Sequence, residues 1–149
     1  MKTQRFEIFI QAPRQQVWSA MLQPATYEQW TSVFCEGSRF EGSWDQGSKI
    51  RFLDPKGAGM VAEIAEHRPA EFVSIRHLGF IDNGVEDTTS EAIKAWAPCY
   101  EKYTFTSEAG GTRLQVDSDV FGDYEAFMAD TWPRALAKLK ALCEGARVA

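Results

Sequence analysis

The segment 122–145, GDYEAFMADTWPRALAKLKALCEG, constrains this chain more than any other. Tyr124, Phe127, Met128, Thr131, Ala135, Leu139, Leu142 and Cys143 recur at helical spacings, with Trp132 and Leu136 flanking them. That period marks one face of an amphipathic helix. Asp123 can cap its start and Gly145 can end it. Acids lead (Asp123, Glu125, Asp130) while Lys138 and Lys140 trail, as the helix dipole prefers. Such a helix is roughly 34 Å long, enough to cross a small domain. Pro133 removes a backbone donor and predicts a bend near Ala129. A helix carrying that proline needs its stripe packed on another surface to persist.

The rest of the chain supplies that surface. Phe6, Ile8 and Ile10 alternate in a first strand over 3–10. Pro13 suits the first position of a short helix whose buried face is Val17, Trp18, Met21 and Leu22. Pro24 ends that helix and opens a second, with Tyr27 and Trp30 on one side. From residue 38 onward the period becomes two, with strands over 38–42, 48–54, 58–67, 71–80, 99–107 and 112–120. Gly47, Pro55-Lys56-Gly57, Arg68-Pro69 and Gly110-Gly111 punctuate them with turn chemistry. Links this short make consecutive strands antiparallel neighbours. The long break at 81–98 begins acidic and then offers Ser90 as the cap of a short helix, EAIKAW. Loops of that length are more often functional than idle. The resulting order is α+β: seven strands in one antiparallel sheet, two short helices after the first strand, and the long helix buried on the sheet's apolar face.

The composition is that of a folded protein: 44% hydrophobic and 25% charged over 149 residues, a length that suits one domain spanning 1–149. A net charge of −5 with no basic cluster argues against nucleic acid as a partner. No apolar run reaches the ~20 residues of a membrane span, and the N-terminus does not read as a signal peptide. Cys35, Cys99 and Cys143 are odd in number and lack metal spacing, which points to a reduced, cytoplasmic setting. Neither histidine has ligand-spaced acids or thiols, so no metal is expected. Asp82, Asn83, Gly84, Glu86 and Asp87 do not follow the calcium-loop spacing, and Gly57-Ala58-Gly59 is too short for a dinucleotide fingerprint. No cofactor is called for.

Alternation shows which polar side chains point inward. With Val73 and Ile75 inward, His77 is inward too. With Tyr103 and Phe105 inward, Glu101 shares their face, and the last strand directs Leu114, Val116, Ser118 and Val120 the same way. A buried carboxylate requires a donor, and His77 is the candidate partner. The pair can serve as structure, as the polar contact of a ligand, or as acid and base; a one-residue error in phase puts both in solvent.

Several motifs in this order resemble the START-like or SRPBCC helix-grip superfamily. These are IQAPRQQVW at 10–18, Trp30, Gly47 before a strand, HLGFIDNGVED at 77–87, YEKYTF at 100–105, GGTRLQV at 110–116 and WPRALAKLKALCE at 132–144. Within that superfamily the chain is similar to stand-alone members of the family named for the activator of heat-shock protein 90 ATPase homologue. The resemblance implies a hydrophobic cavity between sheet and helix. Superfamily members bind lipids, sterols, polyketides or hormones, and some are cyclases or hydratases.

The reading that follows is a binding protein for a small apolar or aromatic molecule. Its candidate site is Trp30, Trp44, Phe52, His77, Trp96, Glu101, Tyr103, Phe127, Met128 and Trp132, with the 81–98 segment as a lid. The aromatic rings and Met128 supply walls suited to a flat apolar ligand. The alternatives are a polyketide cyclase or hydratase using His77 and Glu101, and a chaperone-accessory or stress-response interaction protein. A homodimer is an open option. The additional N-terminal domain of the eukaryotic co-chaperones has no counterpart here, so no motif stands behind a chaperone partner.

Overall fold

The computed structural model describes residues 2–145. Strand β1 (Lys2–Ile10) pairs antiparallel with the last strand, β8 (Gly111–Val120), at one edge of the sheet. Helix α1 (Arg14–Leu22) buries Val17, Trp18, Met21 and Leu22. Pro13 is its N-cap in extended conformation, one position earlier than expected, while Pro24 does stand at the first turn of α2 (Pro24–Trp30). A short 3-10 turn (Thr31–Val33) then leads to β2 (Arg39–Gly42), β3 (Lys49–Leu53), β4 (Gly59–Arg68) and β5 (Phe72–Asp82). After β6 (Val85–Asp87) and helix α3 (Glu91–Lys94), β7 (Cys99–Glu108) returns to pair with both β5 and β8. The spatial order is β1-β8-β7-β5-β4-β3-β2, with β6 added beside β5.

Among the described residues the sheet therefore has eight strands, where alternation predicts seven. The extra one, β6, is three residues long and leads with Val85, which is 67% exposed, so it carries no hydrophobic period. Backbone chemistry makes it. Asn83 and Gly84 both adopt positive φ, the conformation of a two-residue hairpin turn. Gly79 then lets β6 lie close: a Cβ there would sit 2.0 Å from the Asp87 carbonyl oxygen. Lys49 and Arg51 of β3 hold Glu86 in salt bridges.

Helix α4 (Tyr124–Gly145) runs unbroken through Pro133. That proline and Ala129, the carbonyl left without its usual donor, are both exposed, so water can satisfy the break. Thr131, Trp132, Ala135, Leu136, Leu139 and Cys143 form the buried face, and all but Thr131 belong to one apolar cluster with Ile10, Val17, Trp30, Ile75 and Leu114. The stripe does not hold at the helix start. Tyr124 is 48% and Phe127 45% exposed, because the first turn of α4 overhangs a space that the sheet does not fill.

Candidate functional site

The site is built from one row of the sheet. In the β5–β7 register His77 faces Cys99 and Ile75 faces Glu101, so Glu101 is the diagonal neighbour of His77, a separation that long side chains bridge. Across the next ladder Glu101 faces Ser118 and Tyr103 faces Val116. His77, Glu101 and Ser118 thus form a polar line on the inward face of three adjacent strands. His77 Nε2 lies 3.1 Å from Glu101 Oε1, and the Tyr103 hydroxyl donates to Glu101 Oε2. His77 is 6% exposed, and its Nδ1 has no hydrogen-bond partner among the described residues.

With the imidazole neutral, Nε2 donates to Glu101 and Nδ1 is left as a buried acceptor. Glu101 meets the His77 ring and the Tyr103 hydroxyl and is 20% exposed at its side chain. Its charge is felt nearby. Burial first, then the Glu101 charge and hydrogen bond, holds the Tyr103 phenol well above its ordinary value. Tyr27 is raised for the same first reason, with the Glu101 charge second. Burial, then Glu101 and Asp119, pushes Cys99 up to about 12, which makes it a poor nucleophile.

Two adjoining chambers meet on this row. An outer one of about 330 Å³ lies under the start of α4, against Met60, Phe80, Val120, Phe121 and Met128. An inner one of about 210 Å³ lies among Tyr27, Trp30, Phe34, Phe52, Tyr103 and Trp132. Met60, His77, Glu101, Ser118 and Met128 line both. Trp30 is pinned by donating Nε1 to the Met21 carbonyl at 3.0 Å, and its ring lies 5.9 Å from that of Trp132.

Of the ten residues named from the sequence, Trp30, Phe52, His77, Glu101, Tyr103, Met128 and Trp132 line these chambers. Three do not. Trp44 stands behind Phe52, ring to ring at 5.8 Å. Phe127 projects outward, since the helical turn that directs Met128 inward turns its neighbour away. Trp96 stacks on Phe121 at 5.0 Å and meets Phe80 at a tilt, 4.9 Å between ring centres, backing the outer wall without reaching the space. The 81–98 segment is β6 plus a helix capped by Ser90, with Ile93 and Trp96 buried in a cluster of their own, so the expected lid is a packed buttress.

Tyr27, Met60 and Ser118 line the space without having been singled out. Ser118 stands in the inward set of β8, and Tyr27 pairs with Trp30 on one face of α2, so both carried a signal. Met60 carried none, because a register shift between Val61 and Ala62 breaks the period of β4.

An antiparallel sheet holding a long C-terminal helix on its apolar face, with two short helices after the first strand, is the helix-grip fold of START-like proteins. The sequence profile of the Activator of Hsp90 ATPase homolog 1-like protein family matches residues 11–144, and the chain belongs to that family. Among solved structures, MLL2253 from Mesorhizobium loti is 18% identical over 96% of this chain and 97% of its own, with a TM-score of 0.74. The Aha1 dimer from Colwellia psychrerythraea is 16% identical over 97% of both chains, also at 0.74. DynU16, a protein in the dynemicin biosynthetic locus, is 21% identical over 97% of this chain and 48% of its own, at 0.69. Identities this low establish the fold, and function has to be argued from the site. No curated protein matches the sequence.

Proposed function

We propose that the chain binds a small, mainly apolar or aromatic molecule in the paired chambers beneath α4. One observation carries this reading: two adjoining spaces with mostly apolar walls meet on a buried polar row whose His77 Nδ1 has no partner among the described residues. Packed interiors seldom leave such space, and buried polar atoms seldom go unpaired. A few polar groups set in an apolar cleft is the usual make-up of a small-molecule site. The test is native mass spectrometry of the protein after incubation with cell extract, beside Ser118→Phe, which fills the junction. A bound species on the parent that is missing from a folded Ser118→Phe supports the reading. An empty parent, or equal loading of both proteins, contradicts it.

The same row supports a second reading, an acid–base enzyme of the cyclase or hydratase type. Its specific observation is the hydrogen bond that holds His77 with Nδ1 available as a base. The two readings part on turnover: an enzyme returns a bound species chemically changed, and a folded His77→Gln returns it unchanged. A DynU16-like neighbour from a biosynthetic locus gives this reading context and no more. For assembly, the Colwellia relative is a dimer, and Tyr124 and Phe127 are the exposed large apolar residues of α4 that a homodimer would cover.

A further inference from the structure

The inner chamber has an unusual balance of chemistry. Six aromatic rings surround it, those of Tyr27, Trp30, Phe34, Phe52, Tyr103 and Trp132. The rings form one connected wall, with centroids 5.5 Å apart for Tyr27 and Trp30, 5.0 Å for Phe34 and Trp132, and 6.1 Å for Tyr103 and Trp132. The one formal charge among the lining residues is Glu101, and no Lys or Arg lines either chamber among the described residues. The outer chamber likewise has no cation in its lining, and Asp119, which touches it, has its carboxylate engaged by the Thr3 hydroxyl and the Tyr100 amide.

We propose that the inner chamber is an aromatic cage for an organic cation, an alkylated ammonium with at least one N–H, with Glu101 as its counter-charge and the outer chamber taking its apolar body. This rests on the ligand-binding reading and names the ligand's chemistry. Aromatic faces attract a weakly hydrated cation, most strongly where water is excluded. A half-buried carboxylate with no Lys or Arg beside it in the chamber among the described residues adds attraction for a cation in the same space. The bare Nδ1 of His77 accepts the ligand's N–H, which completes the buried polar atom that the protein leaves open. Fatty-acid-like anions are disfavoured by the same accounting, since nothing in the lining neutralises a second negative charge. Tyr27 and Glu101 line the same inner chamber, and the Glu101 charge adds to the burial that raises the Tyr27 phenol.

Three benzyl compounds of one shape make the test: benzyldimethylammonium, isobutylbenzene and phenylacetate, each titrated at neutral pH by calorimetry and by Trp fluorescence. The expected order is cation first, tighter than the neutral isostere by about tenfold or more, with phenylacetate weakest. In Glu101→Gln the cation's advantage should fall to about threefold or less, as a cage without its counter-charge leaves. Phe34→Leu, which removes one ring from the rim, should weaken the cation more than isobutylbenzene and covers the case of a Glu101→Gln protein that does not fold. Equal binding of cation and isostere, or tightest binding of phenylacetate, overturns the cage while the ligand-binding reading survives. An advantage that persists undiminished in Glu101→Gln removes Glu101 from the role. Failure of all three compounds on the folded protein ends both readings.

Discussion

His77 Nε2 stands 3.1 Å from Glu101 Oε1 although the two residues are 24 apart in sequence and are not opposite one another in the ladder. The contact is diagonal, and Tyr103 closes it from the other side by donating to the same carboxylate. One carboxylate thus satisfies two donors on adjacent strands, and what each substitution at 101 does follows from that count.

Glu101→Leu should destabilise the protein by about 3–5 kcal/mol, because it strands the Tyr103 hydroxyl and the His77 ring together. Glu101→Gln should cost less, about 1–3 kcal/mol. Its amide oxygen still accepts from Tyr103, but its amide nitrogen can donate to His77 Nε2 only if the ring proton moves to the unpartnered Nδ1. Urea unfolding of both variants checks the split; equal losses would mean the carboxylate is not holding two donors.

The buried and exposed parts of the α4 stripe should differ sharply. Leu139 is fully buried, so Leu139→Ala should cost about 2–5 kcal/mol. Phe127, at 45% exposure, should cost less than about 1 kcal/mol as Phe127→Ala. The comparison of unfolding midpoints at equal m-value is decisive, and a Phe127 loss as large as that of Leu139 would place both on one buried face.

Gly79 is the position at which the eighth strand depends on a missing Cβ. Gly79→Ala would drive a methyl group into the Asp87 carbonyl, so β6 should detach while β4 and β5 stay paired. Hydrogen exchange should then lose protection at 85–87 and keep it at 61–64. Unchanged protection at 85–87 contradicts the close approach.

Asp87 sets a pH limit on the same region. The Ser90 hydroxyl first, then the Ser90 and Thr89 amides, hold its carboxyl below the usual aspartate value. A depressed folded pKa stabilises above the unfolded value of about 3.9 and is lost as pH falls through the lower folded value. Protection of the Ser90 cap and the first turn of α3 should therefore fade below about pH 4, and Asp87→Asn should abolish that pH dependence. A cap that fades equally in Asp87→Asn would assign the effect elsewhere.

Much of this fold was legible because period and burial agree over long segments. The strand phase that directs His77, Glu101 and Ser118 inward follows from their neighbours Val73, Ile75, Tyr103, Phe105 and Val116, all of them buried. Legibility fails where backbone conformation decides. β6 depends on the Asn83-Gly84 turn and on Gly79, and Met60 turns inward beside a register shift. It fails again where helical stripe and sheet extent disagree. Tyr124 and Phe127 have the right spacing for burial, yet Tyr124 stands over the outer chamber and Phe127 turns outward. Trp96 is buried but on a satellite cluster, and sequence spacing cannot distinguish one apolar cluster from another.

The most direct test of the binding account uses the methionine methyl groups, of which the sequence has four. Met60 and Met128 line both chambers, whereas Met21 is fully buried in the main core. In protein labelled with 13C at the Met methyls, titration with the benzyl compounds should move the Met60 and Met128 signals saturably and together, leaving Met21 in place. Signals of Met60 and Met128 that stay fixed while the protein remains folded would contradict a ligand site beneath α4.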